Sequence, residues 1–309
     1  MRVWLPYADR TEADQRLGGL PDGLQVDCYR GDGDDWPGSL AEVELYVLPY
    51  LKGADEVLSR VDEMSSLKVI QTLTAGFENF LPYLPDGVTL CNAAGVHDAS
   101  TAELAVGLAL ASGRHLDDFA RQQAEGSWSP ALGTSLADRR VLIIGYGRIG
   151  AAIERRLGGF EVASVTRVAR RPRAGDLRVH AVSELPELLP GAEVVFVIAP
   201  LTPETNGLLD AEALALLPDG ALLVNVARGR LVDTDALVAE TSSGRLRAAL
   251  DVTEPEPLPR DHPLWRTPGV LISPHVGGAS SAFFPRADRL VAQQLRRYAA
   301  GEDLENRVR

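Results

Sequence analysis

Gly145, Gly147 and Gly150 stand in the order Gly-x-Gly-x-x-Gly, with Tyr146, Arg148 and Ile149 between them. The apolar run Val141-Leu-Ile-Ile144 precedes them and the helical stretch Ala151 to Leu157 follows. Strand, glycine turn and helix in that order are the context in which this spacing binds a dinucleotide. Gly145 permits the tight turn, Gly147 lets a pyrophosphate approach the backbone, and Gly150 lets helix and strand pack closely. The phosphates then meet unpaired amides at a helix N-terminus. The end of the next strand should carry an Asp or Glu for a ribose 2′-hydroxyl, but Val162 to Pro172 has neither and offers Thr166, Arg167, Arg170 and Arg171. A carboxylate there repels a 2′-phosphate, whereas guanidinium forks bind it through paired, charge-assisted hydrogen bonds. NADP(H) is therefore favoured, with NAD(H) as the alternative.

Three charged residues stand just past later strand-like runs: Arg228 in Asn225-Val-Ala-Arg-Gly229, Glu256 in Leu250-Asp-Val-Thr-Glu-Pro-Glu-Pro257, and His275 in Ser273-Pro-His-Val-Gly-Gly278. Open α/β sheets bind ligands at those carboxyl ends. Singly, each has a structural explanation: a surface arginine, a loop glutamate, a satisfied histidine.

The elements that must position these residues form two series. Apolar runs at Val3 to Leu5, Gly23 to Val26, Val43 to Leu48, Val69 to Leu73 and Val88 to Cys91 alternate with stretches such as Ala54 to Met64 that read as helices. Ser100-Thr-Ala-Glu103 reads as a capping box opening a long helix to Arg114, a candidate connector between domains. The second series runs Val141 to Ile144, Val162 to Val165, Val194 to Ile198, Ala221 to Asn225, Ala248 to Asp251 and Val270 to Ser273, a doubly wound pattern. Arg286 to Tyr298 reads as a final amphipathic helix.

Composition narrows the field. The chain has 309 residues with 31 Lys plus Arg against 43 Asp plus Glu, a formal charge of −12, which argues against nucleic acid or an anionic membrane as partner. Nine of the arginines fall between Arg139 and Arg173 against only Glu154 and Glu161, so the acidic average conceals a basic zone around the glycine turn. Cys28 and Cys91 lack metal-ligand spacing with each other or with the five histidines, so no metal is expected and a reduced, cytoplasmic setting fits. The start has no basic run followed by an apolar stretch, and no segment approaches the length of a membrane span.

From about Val69 onward the chain resembles the D-isomer-specific 2-hydroxyacid dehydrogenase family, in its NADP-dependent glyoxylate/hydroxypyruvate reductase-like branch. The resemblance is carried in order by Thr74-Ala-Gly-Phe-Glu-Asn79, Asn92-Ala-Ala-Gly95, Thr101-Ala-Glu-Leu104, Trp128, the glycine turn, Pro200-Leu-Thr-Pro-Glu-Thr205, and the Arg228, Glu256 and His275 segments. It implies an α/β fold of two Rossmann-like domains. A doubly wound parallel-sheet cofactor domain at 97–284 is inserted in a flavodoxin-like substrate domain made of 1–96 and 285–309. It further implies hydride transfer between nicotinamide and the C2 of a small anionic 2-oxo or 2-hydroxy acid such as glyoxylate or hydroxypyruvate. His275 is then the general acid/base, since imidazole titrates near working pH, and Glu256 fixes its tautomer and raises its pKa. Arg228 orients the carboxylate and polarises the carbonyl, and the Ala75-Gly76 turn offers backbone amides to the anion.

The resemblance also places Asp251 at the nicotinamide ribose and Pro200 on the adenosine side, with Thr205, Ala227, Gly277 and Gly278 lining the crevice. His97 and Phe283-Phe284 fall where the family varies. The family's two-fold dimer implies a homodimer, with the helix near Ser100 and the arm through Trp128 exchanged between subunits. Two alternatives share the scaffold: an NAD-linked dehydrogenase of a larger hydroxy acid, formate or phosphite, and a non-enzymatic, dinucleotide-sensing corepressor-like protein.

Overall fold

The five apolar runs of the N-terminal part become five parallel strands: β1 (Arg2–Leu5), β2 (Gln25–Cys28), β3 (Val43–Val47), β4 (Val69–Gln71) and β5 (Thr89–Cys91). They pair in the order β2-β1-β3-β4-β5, the flavodoxin-like arrangement. The computed structural model describes residues 1–33 and 35–309. It divides into two units, Met1–His97 with Ser281–Arg309, and Asp98–Ser280. The second crossing thus falls four residues before the expected 284/285 boundary. Phe283 is the reason, since it is 2% exposed within the core of the first unit.

In the first unit, α1 (Arg10–Leu17) is capped by Asp9, whose carboxylate accepts from the Glu12 amide at 2.9 Å, and is closed by Gly18 at φ +68°. β2 starts two residues later than expected because Gly23 takes φ +81°, a turn conformation. The helix expected over Ala54 to Met64 is only α2 (Ala54–Val57), followed by a 3-10 turn at Val61–Glu63. Val57, Leu58, Val61 and Met64 are nevertheless all buried, so the spacing that suggested one helix is met by a broken path. The final helix, α9 (Phe283–Ala300), begins three residues before the expected Arg286 and buries Ala287, Leu290, Val291 and Leu295 along one stripe. Past it, Val308 and Asn306 exchange backbone bonds with Leu90 and Asn92, covering the outer edge of β5.

The second unit begins with α3 (Asp98–Gly113) and α4 (Leu116–Glu125). The expected connector lies wholly in this unit, and it starts at Asp98 rather than behind a Ser100 cap. Ser100 is inside the helix, where its hydroxyl meets that of Ser280 at 2.7 Å. Seven strands follow where six were expected: β6 (Arg140–Ile144), β7 (Ser164–Ala169), β8 (His180–Ala181), β9 (Val194–Val197), β10 (Leu222–Asn225), β11 (Arg247–Leu250) and β12 (Val270–Ile272). β8 has two residues and no apolar run to announce it. All pair in parallel in the order β12-β11-β10-β9-β6-β7-β8. The helices between them are α5 (Arg148–Leu157), α6 (Leu185–Leu188), α7 (Ala211–Ala215) and α8 (Thr234–Ser242).

Alternation along the strands sends Leu142, Ile144, Val195, Val197 and Leu223 to one core and Val141, Ile143, Val194, Phe196 and Leu222 to another. Both faces of the sheet are therefore covered, as parallel sheets require. The direction of winding reverses between β6 and β9, which opens a crevice at their carboxyl ends.

Candidate active site

The glycine turn follows β6 into that crevice. Gly145 sits at φ +106°, and a side chain there would lie 2.3 Å from the Ala199 amide nitrogen, so only glycine fits. A Cβ on Gly150 would stand 2.8 Å from the Gly145 carbonyl, which explains the close packing of α5 on its strand. Gly147 faces open space, with nothing within 4 Å of a built Cβ. It also stands at the N-terminus of α5 and offers no side-chain cap. The open approach and the uncapped first turn of α5 fit an anionic pyrophosphate, with Arg148 and Ile149 supplying early amides. The Arg148 side chain itself turns to Asp98 at 2.8 Å.

Four residues were expected to meet a 2′-phosphate, and the structure separates them. Arg167 gives its fork to Glu154 of α5, which also accepts the Tyr146 hydroxyl at 2.5 Å. The hydrogen bonds from Arg167 hold the Glu154 carboxyl below its ordinary range, and the same contact raises Arg167, so both are charged and mutually neutralised. Arg167 is thus part of the scaffold of the glycine turn. Thr166 is half-buried on β7, whereas Arg170 and Arg171 are exposed in the loop after it. Past β9, Thr205 donates to the Pro200 carbonyl at 2.7 Å and accepts from the Thr202 amide at 2.8 Å, so its hydroxyl organises the turn.

Arg228 follows β10 on extended backbone, at φ −145°. Its turn is fixed by Asn225, 1% exposed, whose amide side chain donates to the Arg228 carbonyl at 2.9 Å and accepts from the Ala227 amide at 3.0 Å. The guanidinium donates to the Ala227 carbonyl at 2.7 Å. Gly229 then passes so close to the next loop that a Cβ would overlap the Thr253 carbonyl at 2.0 Å, which ties the arginine turn to the segment carrying Glu256.

His275 Nδ1 lies 2.5 Å from Glu256 Oε1. That hydrogen bond is the main cause of the raised His275 pKa, against burial and the nearby Arg228 charge, which lower it. Burial is the largest single influence on Glu256 and pushes it up, but the bond to His275, the His275 and Arg228 charges and a backbone bond at Thr253 together outweigh it, and the carboxyl ends below its ordinary value. The histidine itself takes φ +53°, a conformation that a non-glycine residue holds only under constraint.

Asp251 supplies the constraint. It is 2% exposed, and its carboxylate accepts from the Ser273 hydroxyl at 2.6 Å, the Val276 amide at 2.9 Å and the Gly277 amide at 2.8 Å. Its carbonyl accepts from the His275 amide at 2.8 Å. A side chain at Gly277 would press to 2.9 Å on the same carboxylate, while Gly278 continues the loop and bonds the Ser280 amide. Asp251, expected at a ribose, is in this structure the anchor of the histidine loop. Asn225, Ser273 and Glu154 went unread in the sequence; their one common signal is a polar residue at or facing the end of an apolar strand.

Ala75 and Gly76 belong to the first unit, in the turn after β4. Their carbonyls accept from Asn92 Nδ2 and Thr74 Oγ1, both at 2.7 Å, and their amides carry no hydrogen bond among the described residues, which suits an anion nest. His97 and Phe283, which fall where the family varies, are buried: Phe283 stacks 3.8 Å from Tyr50 and 5.3 Å from His97. Phe284 is 55% exposed. Among the described residues no group of His, Cys, Asp and Glu could hold a metal, and no helix is long and apolar enough to cross a membrane.

Residues 106–277 match the family described as D-isomer specific 2-hydroxyacid dehydrogenase, NAD binding domain. The glyoxylate reductase/hydroxypyruvate reductase of Homo sapiens is 34% identical over 265 residues, 79% of this chain and 78% of that protein. The D-3-phosphoglycerate dehydrogenase of Methanocaldococcus jannaschii is 31% identical over 85% of this chain, which spans 53% of that longer protein. Among solved structures, the D-isomer specific 2-hydroxyacid dehydrogenase from Xanthobacter autotrophicus in complex with NADPH and MES is 33% identical, with a TM-score of 0.81 over 100% of this chain and 97% of that one. The NADPH-dependent glyoxylate/hydroxypyruvate reductase from Sinorhizobium meliloti, in complex with NADP and malonate, is 27% identical, with a TM-score of 0.79 over 99% and 96% of the two chains. The glycine crevice, the paired His275 and Glu256, and these likenesses together make the chain a member of the D-isomer specific 2-hydroxyacid dehydrogenase family, NAD(P)-dependent oxidoreductases acting on CH–OH donors.

Proposed function

We propose that the protein reduces a small 2-oxo acid of the glyoxylate or hydroxypyruvate type, using NADPH in preference to NADH. The observation that carries this reading is the 2.5 Å contact between His275, on the loop held by Asp251, and Glu256, on the loop after β11, with the charge of Arg228 nearby. When bound, the dihydronicotinamide supplies the hydride. His275, protonated through its contact with Glu256, gives a proton to the C2 oxygen, and Arg228 fixes the carboxylate and stabilises negative charge growing on that oxygen. Oxidation runs in reverse from neutral His275.

Because Glu256 raises the His275 pKa, the protonated form persists above the ordinary histidine value, and reductive kcat/KM falls only as pH rises through the raised pKa. Replacing Glu256 with Gln removes the charge and is expected to move that alkaline limb to lower pH. A pH–rate profile of both proteins checks it, and an unmoved limb overturns the pairing.

The preference for NADPH rests on the exposed Arg170 and Arg171 and on the missing acidic residue after β7. Arg170→Ala with Arg171→Ala is expected to raise KM for NADPH about tenfold or more, from the loss of charge-assisted hydrogen bonds, while KM for NADH moves little. An equal change for both cofactors removes the phosphate site. Initial rates with NADPH and NADH against a graded series of 2-oxo acids test the function as a whole, and tight cofactor binding without turnover of any acid supports the sensor alternative instead. Trp128 and Leu132, 96% and 98% exposed, suit the arm of a homodimer, which sedimentation equilibrium tests. Two free cysteines suit a reducing cytoplasm.

A further inference from the structure

Arg173 falls outside every group assigned so far, yet it reaches the glycine turn. Its backbone is pinned to Val179, amide to carbonyl in both directions at 2.9 and 2.8 Å, and Val179 is 2% exposed in the core. From that stem the guanidinium donates to the Tyr146 carbonyl at 3.2 Å and stands 5.6 Å from the centre of the Tyr146 ring. Tyr146 is held elsewhere too: its hydroxyl is on Glu154, and the guanidinium of Arg167 also lies 5.6 Å from the ring. The carbonyl of Tyr146 and the amide of Gly147 share one rigid peptide plane. A donor fixed on that carbonyl therefore fixes the direction in which the chain enters α5, whose first amides have no cap.

We propose that Arg173 is a positioning residue for dinucleotide binding. It braces the glycine turn from the loop that also offers Arg170 and Arg171, so one loop serves both the 2′-phosphate and the pyrophosphate. The inference rests on the dinucleotide reading of the crevice. The pyrophosphate is common to NADPH and NADH, so Arg173 acts on both, whereas a direct ligand of the 2′-phosphate acts on NADPH alone.

The test is fluorescence titration of wild type, Arg173→Ala and Arg173→Lys with NADPH and with NADH, alongside thermal unfolding. Arg173→Ala is expected to raise both dissociation constants by roughly three- to tenfold, the scale of one exposed hydrogen bond with a cation–π contact. The two increases should agree within about a factor of two and Tm should stay within about one degree, since a surface substitution changes stability little. Arg173→Lys, which keeps a donor, should recover most of the affinity. A loss confined to NADPH, no loss at all, or a loss accompanied by a Tm lower by several degrees each overturns the proposal. Wild-type protein that binds neither cofactor overturns the dinucleotide reading itself, and the inference with it.

Discussion

Arg228→Lys is expected to lower kcat for 2-oxo acid reduction by about 100- to 1,000-fold, the cost of losing one preorganised donor to a developing oxyanion. The substitution keeps the positive charge, so what it tests is the fork. Arg228 sits on an extended backbone clamped by Asn225, and one of its guanidinium nitrogens is committed to the Ala227 carbonyl. A planar guanidinium fork can span a carboxylate and a C2 oxygen at once, which an ammonium on a flexible stem cannot. Cofactor affinity should be unchanged, because the glycine turn and the arginine loop are untouched. Steady-state kinetics with fluorescence titration separate the two effects, and a lysine variant within about threefold of wild type shows that no such bridging occurs.

His275→Ala is expected to cost about 100- to 10,000-fold in kcat and to flatten the pH–rate profile in the region where the histidine titrates. The two signatures belong together. Loss of rate with an unchanged alkaline limb assigns the proton to another group, and full activity removes the catalytic assignment. The histidine is held by backbone bonds that alanine retains: its amide on the Asp251 carbonyl, and the Val276 and Gly277 amides on the Asp251 carboxylate. The loop should therefore keep its shape in the variant, and cofactor binding should survive.

Much of this site was legible in the chain because its signals are local. A glycine turn between a strand and a helix is a contiguous pattern, and strand-end residues such as Arg228 and His275 follow once the strands are recognised. What escaped depends on pairs distant in sequence. Arg167 reads as a free fork until Glu154, 13 residues earlier, is seen to occupy it. The convergence on Asp251 of three donors from residues 273 to 277 likewise leaves no mark in the local sequence. The Ser100 capping box fails for a related reason: the helix starts at Asp98, and the serine hydroxyl finds Ser280 instead of a backbone amide. In each case local chemistry permits two partners, and tertiary packing chooses the one that spacing does not show.

The interrupted course of the first unit sets an order of assembly on the chain. Its core needs Phe283, Leu290, Val291 and Leu295 of α9, and the rim of β5 needs the residues from Asn306 to Val308, all of them synthesised after the whole of Asp98–Ser280. The inserted unit is continuous and can close its own core as it emerges from the ribosome. The surrounding unit must wait, with five strands made and one flank open, until α9 and the residues from Asn306 to Val308 are released. Its nascent form is thus the aggregation-exposed stage of biosynthesis, and shortening the C-terminus should reduce the yield of folded protein more than its few residues suggest.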